Sequence, residues 1–250
     1  YTATKICINN TTNEVIDSEN PFDRVYPASI TKIMTALLVF ERGDLSDTYT
    51  VTEPIVLGDP LAVSLGLHEG DTITVEELMY GLLLESANDY AVALGRYVAG
   101  DDASFLTMMN QRAEELGATH THFVNPNGLH DEDHYTTGYD LYLIFRELIT
   151  HPEFRQISGE VSHILHYTTG DGSLAEIELE NSNLFVSGEY SPPEGITVVC
   201  GKTGTTTEAG CCLVVEATDE AGNDYIVIVC GAGSRPALYS EIIDELSKIE

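Results

Sequence analysis

The chain has 250 residues, and its 41 acidic against 11 basic side chains give it a formal net charge of −30 at pH 7. This charge argues against nucleic acid or an anionic membrane surface as a direct partner, because both would repel the protein. Hydrophobic residues make up 43% of the chain, yet no run is long enough to span a membrane, so the composition predicts an ordinary globular protein with a large core.

The first predicted elements are a hairpin and a buried helix. Residues 3–8 and 13–17 are β-prone runs that flank a polar cluster, which predicts two strands joined by a turn. Over residues 30–42, apolar side chains recur at three- and four-residue steps before a glycine, which predicts a helix that is hydrophobic nearly all round and therefore buried. Ser29 lies in the first turn of this helix, and Lys32 follows on the same face.

This serine and lysine pair could support nucleophilic catalysis. A serine hydroxyl needs a base to take its proton, and a lysine can be that base only if desolvation or neighbouring cations keep it neutral. The start of a buried helix provides a dry environment and backbone N–H groups that would stabilise an oxyanion beside Ser29. A Ser-x-x-Lys match alone is also compatible with a capping serine and a surface lysine, so the interpretation depends on other motifs.

The middle of the chain predicts mainly helices. Residues 45–71 are a loop-rich connector with one or two short strands, because Gly, Pro and Asp interrupt every apolar run. Thr74 and Glu77 form a capping-box pattern at the start of a helix that breaks at residues 85–88. Further helices are predicted near 89–99, 103–116 and 137–148, with a short one after Pro152.

The C-terminal part predicts strands and a final helix. Strand patterns occur at 161–168, 173–180, 196–203, 209–218 and 223–231, and an amphipathic helix follows. Strands thus lie at both ends of the chain with helices between them, so the predicted fold class is α/β (α+β) in a single domain. An α/β lobe would comprise about 1–45 and 155–250, with a helical lobe of about 46–154 inserted.

Two further motifs fall where a catalytic interpretation needs them. Ser86 and Asn88 lie at the predicted break between helices, where both side chains could point into a cleft. At the end of a predicted strand, Lys202 and Thr203 offer a cation and a hydroxyl to a carboxylate, and Gly204 permits close backbone approach. Each motif is weak alone, but the three in this order are a strong signal.

The motifs and their surroundings resemble the low-molecular-mass D-alanyl-D-alanine carboxypeptidases, which are penicillin-binding proteins. The similar blocks are residues 26–36, 81–89, 123–130, 202–206 and 208–210. The resemblance implies the penicillin-binding-protein/β-lactamase-like transpeptidase fold, an antiparallel sheet flanked by helices with an inserted helical lobe. It also implies a serine hydrolase that removes the terminal D-alanine from peptidoglycan stem peptides, needs no cofactor or metal, acts outside the cytoplasm and is inhibited covalently by β-lactam antibiotics.

The resemblance also implies roles for the residues at matching positions. Ser29 would attack the carbonyl of the penultimate D-alanine, and Lys32 would take its proton. Ser86 would relay a proton to the leaving amine, while Asn88 would hold Lys32 and the substrate amide. The other implied groups are an oxyanion hole from the N–H groups of Ser29 and Thr205, and a carboxylate-binding set of Lys202, Thr203, Gly204 and Arg235, the last of which could equally be a surface arginine.

Several alternatives accompany this interpretation. Class A β-lactamases share the motifs but use an added glutamate between the second and third, for which the turn at residues 125–128 supplies no equivalent. A catalytically silent penicillin-binding sensor or scaffold is the non-enzyme alternative, and the intact motifs argue against it. The chain lacks the second β-rich domain and the C-terminal amphipathic anchor common in the family, so membrane attachment is expected only through segments absent from it.

The histidine and cysteine patterns favour neither a metal site nor a defined disulfide. Four histidines fall between residues 120 and 134, but no His-Glu-x-x-His run occurs, so loop histidines are predicted in preference to a zinc peptidase site. The five cysteines contain no CxxC spacing and are interpreted as small buried residues. A disulfide such as Cys200 with Cys230 remains an alternative.

Overall fold

The computed structural model describes residues 2–250, which form eleven strands, one 3-10 turn at Ala28–Thr31 and seven helices. The strands are β1 Thr4–Asn9, β2 Glu14–Glu19, β3 Arg24–Val25, β4 Thr48–Thr50, β5 Thr72–Thr74, β6 Thr136–Thr137, β7 Ser162–Thr168, β8 Leu174–Glu180, β9 Thr197–Thr206, β10 Gly210–Thr218 and β11 Asp224–Ala232. The helices are α1 Lys32–Arg42, α2 Val75–Leu84, α3 Asn88–Ala99, α4 Asp102–Glu115, α5 Gly138–Leu148, α6 Pro152–Ser158 and α7 Arg235–Leu246.

A five-stranded antiparallel sheet joins the two ends of the chain. Its strand order is β2-β1-β11-β10-β9, so the first strands and the last strands are neighbours. The pairing of β1 with β2 confirms the predicted N-terminal hairpin. Strand β9 pairs only with β10 within this sheet, so its other edge is available to neighbouring segments.

Both faces of this sheet are covered by apolar layers. Successive side chains of a strand point to opposite faces, and β11 has apolar residues at both sets of positions. Ile226 and Ile228 pack in the layer that contains α1 and α5. Val227 and Val229 pack in the layer that contains α7. The near-continuous apolar sequence of β11 is therefore explained by burial on both faces.

Helix α1 lies inside the core, as its sequence predicts. All residues from Lys32 to Val39 are buried, and the helix packs against α3 and α5. It ends before Gly43, also as predicted. Its start differs from the prediction, because Ser29 belongs to the preceding 3-10 turn and Lys32 is the first residue of the α-helix. Tighter turns of this kind are frequent at helix N-termini.

The hairpin of β7 and β8 joins a second sheet. This sheet has the order β4-β5-β7-β8, and β5 meets β7 at Thr72 and Thr168. The predicted boundary near residue 155 assigns the hairpin to the α/β lobe, and in the structure β7 packs against α2. A hairpin pattern identifies two strands but does not indicate which sheet they join. The division of the single domain into two lobes stays a prediction.

The start of α2 confirms half of the predicted capping box. The side chain of Thr74 accepts a hydrogen bond from the N–H of Glu77 at 3.2 Å. The Glu77 carboxylate does not return to Thr74, because it lies 2.6 Å from His163 Nε2 and accepts from the N–H of His166 at 2.6 Å. The Glu77 carboxylate is thus bound by residues of β7, and not by the backbone N–H of Thr74 that a complete capping box would use.

Two further features bear on the class of protein. None of the helices within residues 2–250 combines the length and hydrophobicity that a membrane crossing requires. All five cysteines are free thiols, and four of them are buried, so the disulfide between Cys200 and Cys230 is not formed. The interpretation of cysteines as small core residues is confirmed for these four.

Candidate active site

The side chains of Ser29 and Lys32 meet at the start of α1. Lys32 is fully buried, and its Nζ lies 2.7 Å from Ser29 Oγ, 2.8 Å from Asn88 Oδ1 and 2.8 Å from the carbonyl oxygen of Asn127. The amide and carbonyl oxygens can only accept hydrogen bonds, so they take the two N–H groups of a neutral amine. In this neutral form the lone pair would be left to accept the Ser29 proton, which is the arrangement that a general base requires.

The surroundings of Lys32 favour this neutral form. Burial lowers the pKa of Lys32 well below its usual value of 10.5, and the positive charge of Lys202 lowers it further. The carboxylate of Asp89 acts in the opposite direction and offsets part of this shift. The local environment therefore makes the lysine a base at a pH where an ordinary lysine is almost entirely protonated.

A second hydrogen-bond network joins Ser86 to β9. Lys202 Nζ lies 3.0 Å from Ser86 Oγ and 2.8 Å from the carbonyl oxygen of Thr203. Lys202 is 1% exposed, and burial lowers its pKa to about 7. Its ammonium form carries three N–H groups, of which these two partners use two, so one remains for an anionic ligand.

Two residues beside these groups have an unusual backbone conformation. Ala28 has φ 49° and Ser86 has φ 60°, both in the left-handed region that favours glycine. Such conformations cost about 1–3 kcal/mol each and persist where the surrounding structure enforces them, which is frequently at functional sites. Here Ala28 directly precedes Ser29, and Ser86 carries the hydroxyl that contacts Lys202.

Two glycines allow three segments to approach closely. A Cβ on Gly204 would lie 2.9 Å from the backbone nitrogens of Ser29 and Ile30. Gly128 has φ +93°, and a Cβ there would overlap the carbonyl of Ala28. The absence of side chains at these positions brings β9 and the 125–128 turn against the 3-10 turn that carries the serine.

Ser29 lies between two adjoining cavities. The smaller, of about 230 Å³, is also lined by Thr203, Gly204 and Arg235. The larger, of about 650 Å³, is also lined by Asn88. Thr205 lines both. Ser29 lies in the 3-10 turn that precedes α1 and Thr205 in an edge strand, so their backbone N–H groups are candidates to stabilise an oxyanion between the cavities.

The chain matches the family model described as D-alanyl-D-alanine carboxypeptidase over residues 2–234. It belongs to this family. Carboxypeptidase DacF of Bacillus subtilis is 32% identical over 92% of this chain and 57% of its own length. The D-alanyl-D-alanine carboxypeptidase of Streptomyces strain K15 is 32% identical over 94% of this chain and 82% of its own length. The crystal structure of the Streptomyces K15 DD-transpeptidase superposes with a TM-score of 0.88 at 28% identity, covering 99% of this chain and 97% of that one.

The family assignment confirms the predicted fold class and the resemblance on which it was based. The chain spans less than two thirds of the length of several curated carboxypeptidases, including the Bacillus protein at 57%. The predicted residues are close together in this carboxypeptidase fold. Six lie in the two hydrogen-bond networks: Ser29, Lys32, Ser86, Asn88, Lys202 and Thr203. Their catalytic roles stay predictions.

Arg235 lies at the edge of this constellation. It is the first residue of α7 and lines the smaller cavity, as a carboxylate-binding residue would. Its guanidinium is exposed and makes no hydrogen bond or ion pair within residues 2–250. An unpaired cation at the mouth of a cavity is available to a ligand, so Arg235 remains a candidate.

The sequence did not identify three groups that support the site. The Asn127 carbonyl accepts from Lys32, and Ser182 Oγ lies 2.8 Å from Thr203 Oγ1. Asp89, which follows the second motif, is 2% exposed and accepts hydrogen bonds from the backbone N–H groups of residues 65–67. An acidic residue directly after that motif was a signal in the sequence, whereas a backbone carbonyl and a lone serine gave none.

The histidines near residue 130 serve packing in this structure. Among residues 2–250, no three potential ligand side chains come together as a metal site. His134 is 2% exposed, and its Nε2 lies 2.7 Å from Thr31 Oγ1. Its Nδ1 accepts from the N–H of Val124, so the neutral ring carries its proton on Nε2 and donates to the threonine. His134 thus ties the 123–134 segment to the residue before Lys32.

This histidine predicts a pH dependence of stability. Burial lowers the pKa of His134 from 6.5 to about 4, although the nearby charge of Asp131 opposes the shift. Below pH 6.5 the unfolded chain binds a proton that the folded protein excludes, so the contribution of this group is present above pH 6.5 and is lost as the pH falls to 4. We expect a loss of about 3 kcal/mol in the free energy of unfolding relative to a His134→Gln variant.

Urea unfolding at pH 7, 5.5 and 4 measures this difference, with the exposed His120→Gln as the matched control. A wild-type protein and a His134→Gln variant whose stabilities fall in parallel over this range would contradict the prediction.

Proposed function

We propose that this protein is a serine D-alanyl-D-alanine carboxypeptidase that removes the terminal D-alanine from peptidoglycan stem peptides. The observation that carries the proposal is the position of Lys32 Nζ, 2.7 Å from Ser29 Oγ with acceptors on its other sides. Membership of the carboxypeptidase family supports the same substrate. The reaction would take place at the cell wall, outside the cytoplasmic membrane.

Acylation begins at Ser29. Its Oγ attacks the carbonyl of the penultimate D-alanine while its proton passes to Lys32, and the N–H groups of Ser29 and Thr205 stabilise the oxyanion. Collapse of the tetrahedral intermediate breaks the peptide bond, and Ser86 relays to the leaving amine the proton that Lys32 took from Ser29, which returns Lys32 to its neutral form. The penultimate D-alanine then remains bound to Ser29 as an ester.

Deacylation repeats the sequence with water. Lys32 takes a proton from the attacking water, the same oxyanion forms, and Ser29 leaves with the proton returned. Asn88 holds Lys32 throughout and offers its amide to the substrate backbone. No metal or cofactor takes part in this scheme.

The smaller cavity suits the carboxylate of the departing D-alanine. Thr203 offers a hydroxyl and Arg235 a cation in its lining, and the buried Lys202, which contacts Ser86 and Thr203, adds a second positive charge next to them. Approach of a carboxylate favours the protonated form of Lys202, whose pKa burial has lowered to about 7. The acyl part of the peptide would then occupy the larger cavity.

Time-resolved mass measurement of the intact protein with benzylpenicillin tests the proposal, together with D-alanine release from a D-Ala-D-Ala peptide. We expect an adduct of one whole penicillin that persists, and release of D-alanine in its absence. A transient adduct with drug turnover would instead identify a serine β-lactamase. An adduct without D-alanine release would identify a penicillin-binding sensor or scaffold.

The Lys202→Met variant should lose its preference for a free terminal carboxylate. Loss of a charged hydrogen bond predicts a fall of about 10- to 100-fold in kcat/KM for a peptide ending in D-Ala-D-Ala, and a smaller fall for the same peptide with a terminal amide. Steady-state kinetics on both peptides measure the ratio, with the surface variant Lys248→Met as the control. Equal losses on the two peptides would assign Lys202 to the orientation of Ser86 alone.

A further inference from the structure

The segment that links β8 to β9 contributes one serine to the lining of the smaller cavity. Ser182 lies in this segment and lines the cavity together with Ser86 and Thr203. Its Oγ lies 2.8 Å from Thr203 Oγ1, and both side chains are partly buried. None of the three sequence motifs contains Ser182, and the reaction scheme above does not use it.

The backbone holds this serine firmly in place. Its N–H donates to the carbonyl of Leu84 at 3.0 Å, at the end of α2 and two residues before Ser86. The preceding Asn181 is 5% exposed and donates from Nδ2 to the carbonyls of Ser158 and Glu160, each at 2.8 Å. Ser182 is therefore fixed between the segment that carries Ser86 and the strand that carries Thr203.

The chemistry of two hydroxyls gives this contact a direction. Each hydroxyl has one proton to donate and two lone pairs to accept. If Thr203 donated to Ser182, it would have no proton left for a carboxylate in the cavity. If Ser182 donates to Thr203, the threonine proton is free to point at the carboxylate, and the accepted hydrogen bond strengthens the one that it donates.

We propose that Ser182 is a positioning residue for substrate recognition, which donates its hydroxyl proton to Thr203 and thereby directs the Thr203 proton at the terminal carboxylate of the substrate. This inference rests on the proposed carboxypeptidase function. It makes Ser182 a determinant of specificity for peptides with a free carboxyl terminus. Because Ser182 acts through Thr203, its contribution disappears when Thr203 has no hydroxyl.

The test measures kcat/KM for a D-Ala-D-Ala peptide with a free carboxylate and for its C-terminal amide. We expect Ser182→Ala to lower kcat/KM for the carboxylate peptide about three- to tenfold, mainly through KM, with little change for the amide. Ser182→Thr, which keeps the hydroxyl, should retain the wild-type preference for the carboxylate peptide over its amide. The matched control is Ser187→Ala, an exposed serine five residues further along the chain.

A double-mutant cycle separates positioning from a structural role. In a Thr203→Val background, Ser182→Ala should change kcat/KM for the carboxylate peptide by less than about twofold, because the shared interaction is already absent. Equal losses on both peptides, or a full loss that persists beside Thr203→Val, would overturn the inference while leaving the proposed function intact. A wild-type protein that releases D-alanine from neither peptide would overturn both. Thermal unfolding of each variant checks the fold, which the retained N–H bond to Leu84 should preserve.

Discussion

The Ser29→Ala variant is expected to form no covalent adduct with benzylpenicillin and to release D-alanine at least about a thousandfold more slowly than the wild type. The reason is that Ser29 Oγ is the hydroxyl that Lys32 Nζ approaches, at 2.7 Å, between the two cavities. Intact-protein mass and a D-alanine assay measure the two effects. The fold should be unaffected, because the change removes one partly buried hydroxyl.

The exposed serine of α7, replaced in Ser240→Ala, provides the matched control and should label at the wild-type rate. Undiminished labelling of Ser29→Ala would remove this residue as the nucleophile, and the reaction scheme would then need another hydroxyl.

The Lys32→Met variant should lose acylation by about a hundred- to ten-thousandfold, the usual contribution of a positioned general base. Methionine is similar in length and can occupy the buried site, but it has no lone pair to accept the Ser29 proton. Stopped-flow or quenched acylation by a chromogenic β-lactam measures the rate. The control is Lys5→Met, which removes a lysine that pairs with Glu19 and Glu241 on the opposite side of the sheet from α1.

The pH dependence of acylation gives a second test of the same residue. A lysine with the usual pKa of 10.5 is only about 0.03% neutral at pH 7. Burial and the charge of Lys202 lower the pKa of Lys32, so the rate in the wild type should reach its plateau well below pH 10. Deprotonation of Lys202, whose pKa is about 7, should raise KM for substrates with a free carboxylate at higher pH. A rate that rises tenfold per pH unit up to pH 10 would show that Lys32 is not perturbed.

Sequence reasoning worked best where the signal is local. The apolar pattern of α1, the cap at Thr74 and the strands around the C-terminal turns all depend on residues within a few positions of one another. The three sequence motifs that contain Ser29, Ser86 and Lys202 were also recognisable, because their residue types and their order along the chain are distinctive. Each motif lies on the kind of element that the sequence predicts: the start of a helix, a break between two helices and a strand.

The missing parts of the site depend on contacts across long stretches of chain. Lys32 meets the Asn127 carbonyl at a separation of 95 residues, and Thr31 meets His134 at 103. Neither a backbone carbonyl nor a buried histidine carries a pattern that identifies its partner. The same limit explains the hairpin of β7 and β8, whose alternation is clear but whose neighbour β5 lies far away in sequence.

The left-handed conformations of Ala28 and Ser86 have a consequence for how such a protein responds to selection for heat resistance. Both residues occupy backbone states that glycine adopts at lower cost, so part of the folding free energy is held in the segments that present the reacting groups. We expect substitutions that relax these two positions to raise the melting temperature and also to alter the placement of Ser29 and of the Ser86 hydroxyl. We therefore expect thermal stability and activity to be coupled at these two residues, whereas stability gained in the sheet or in the packing of α7 should leave the site unchanged.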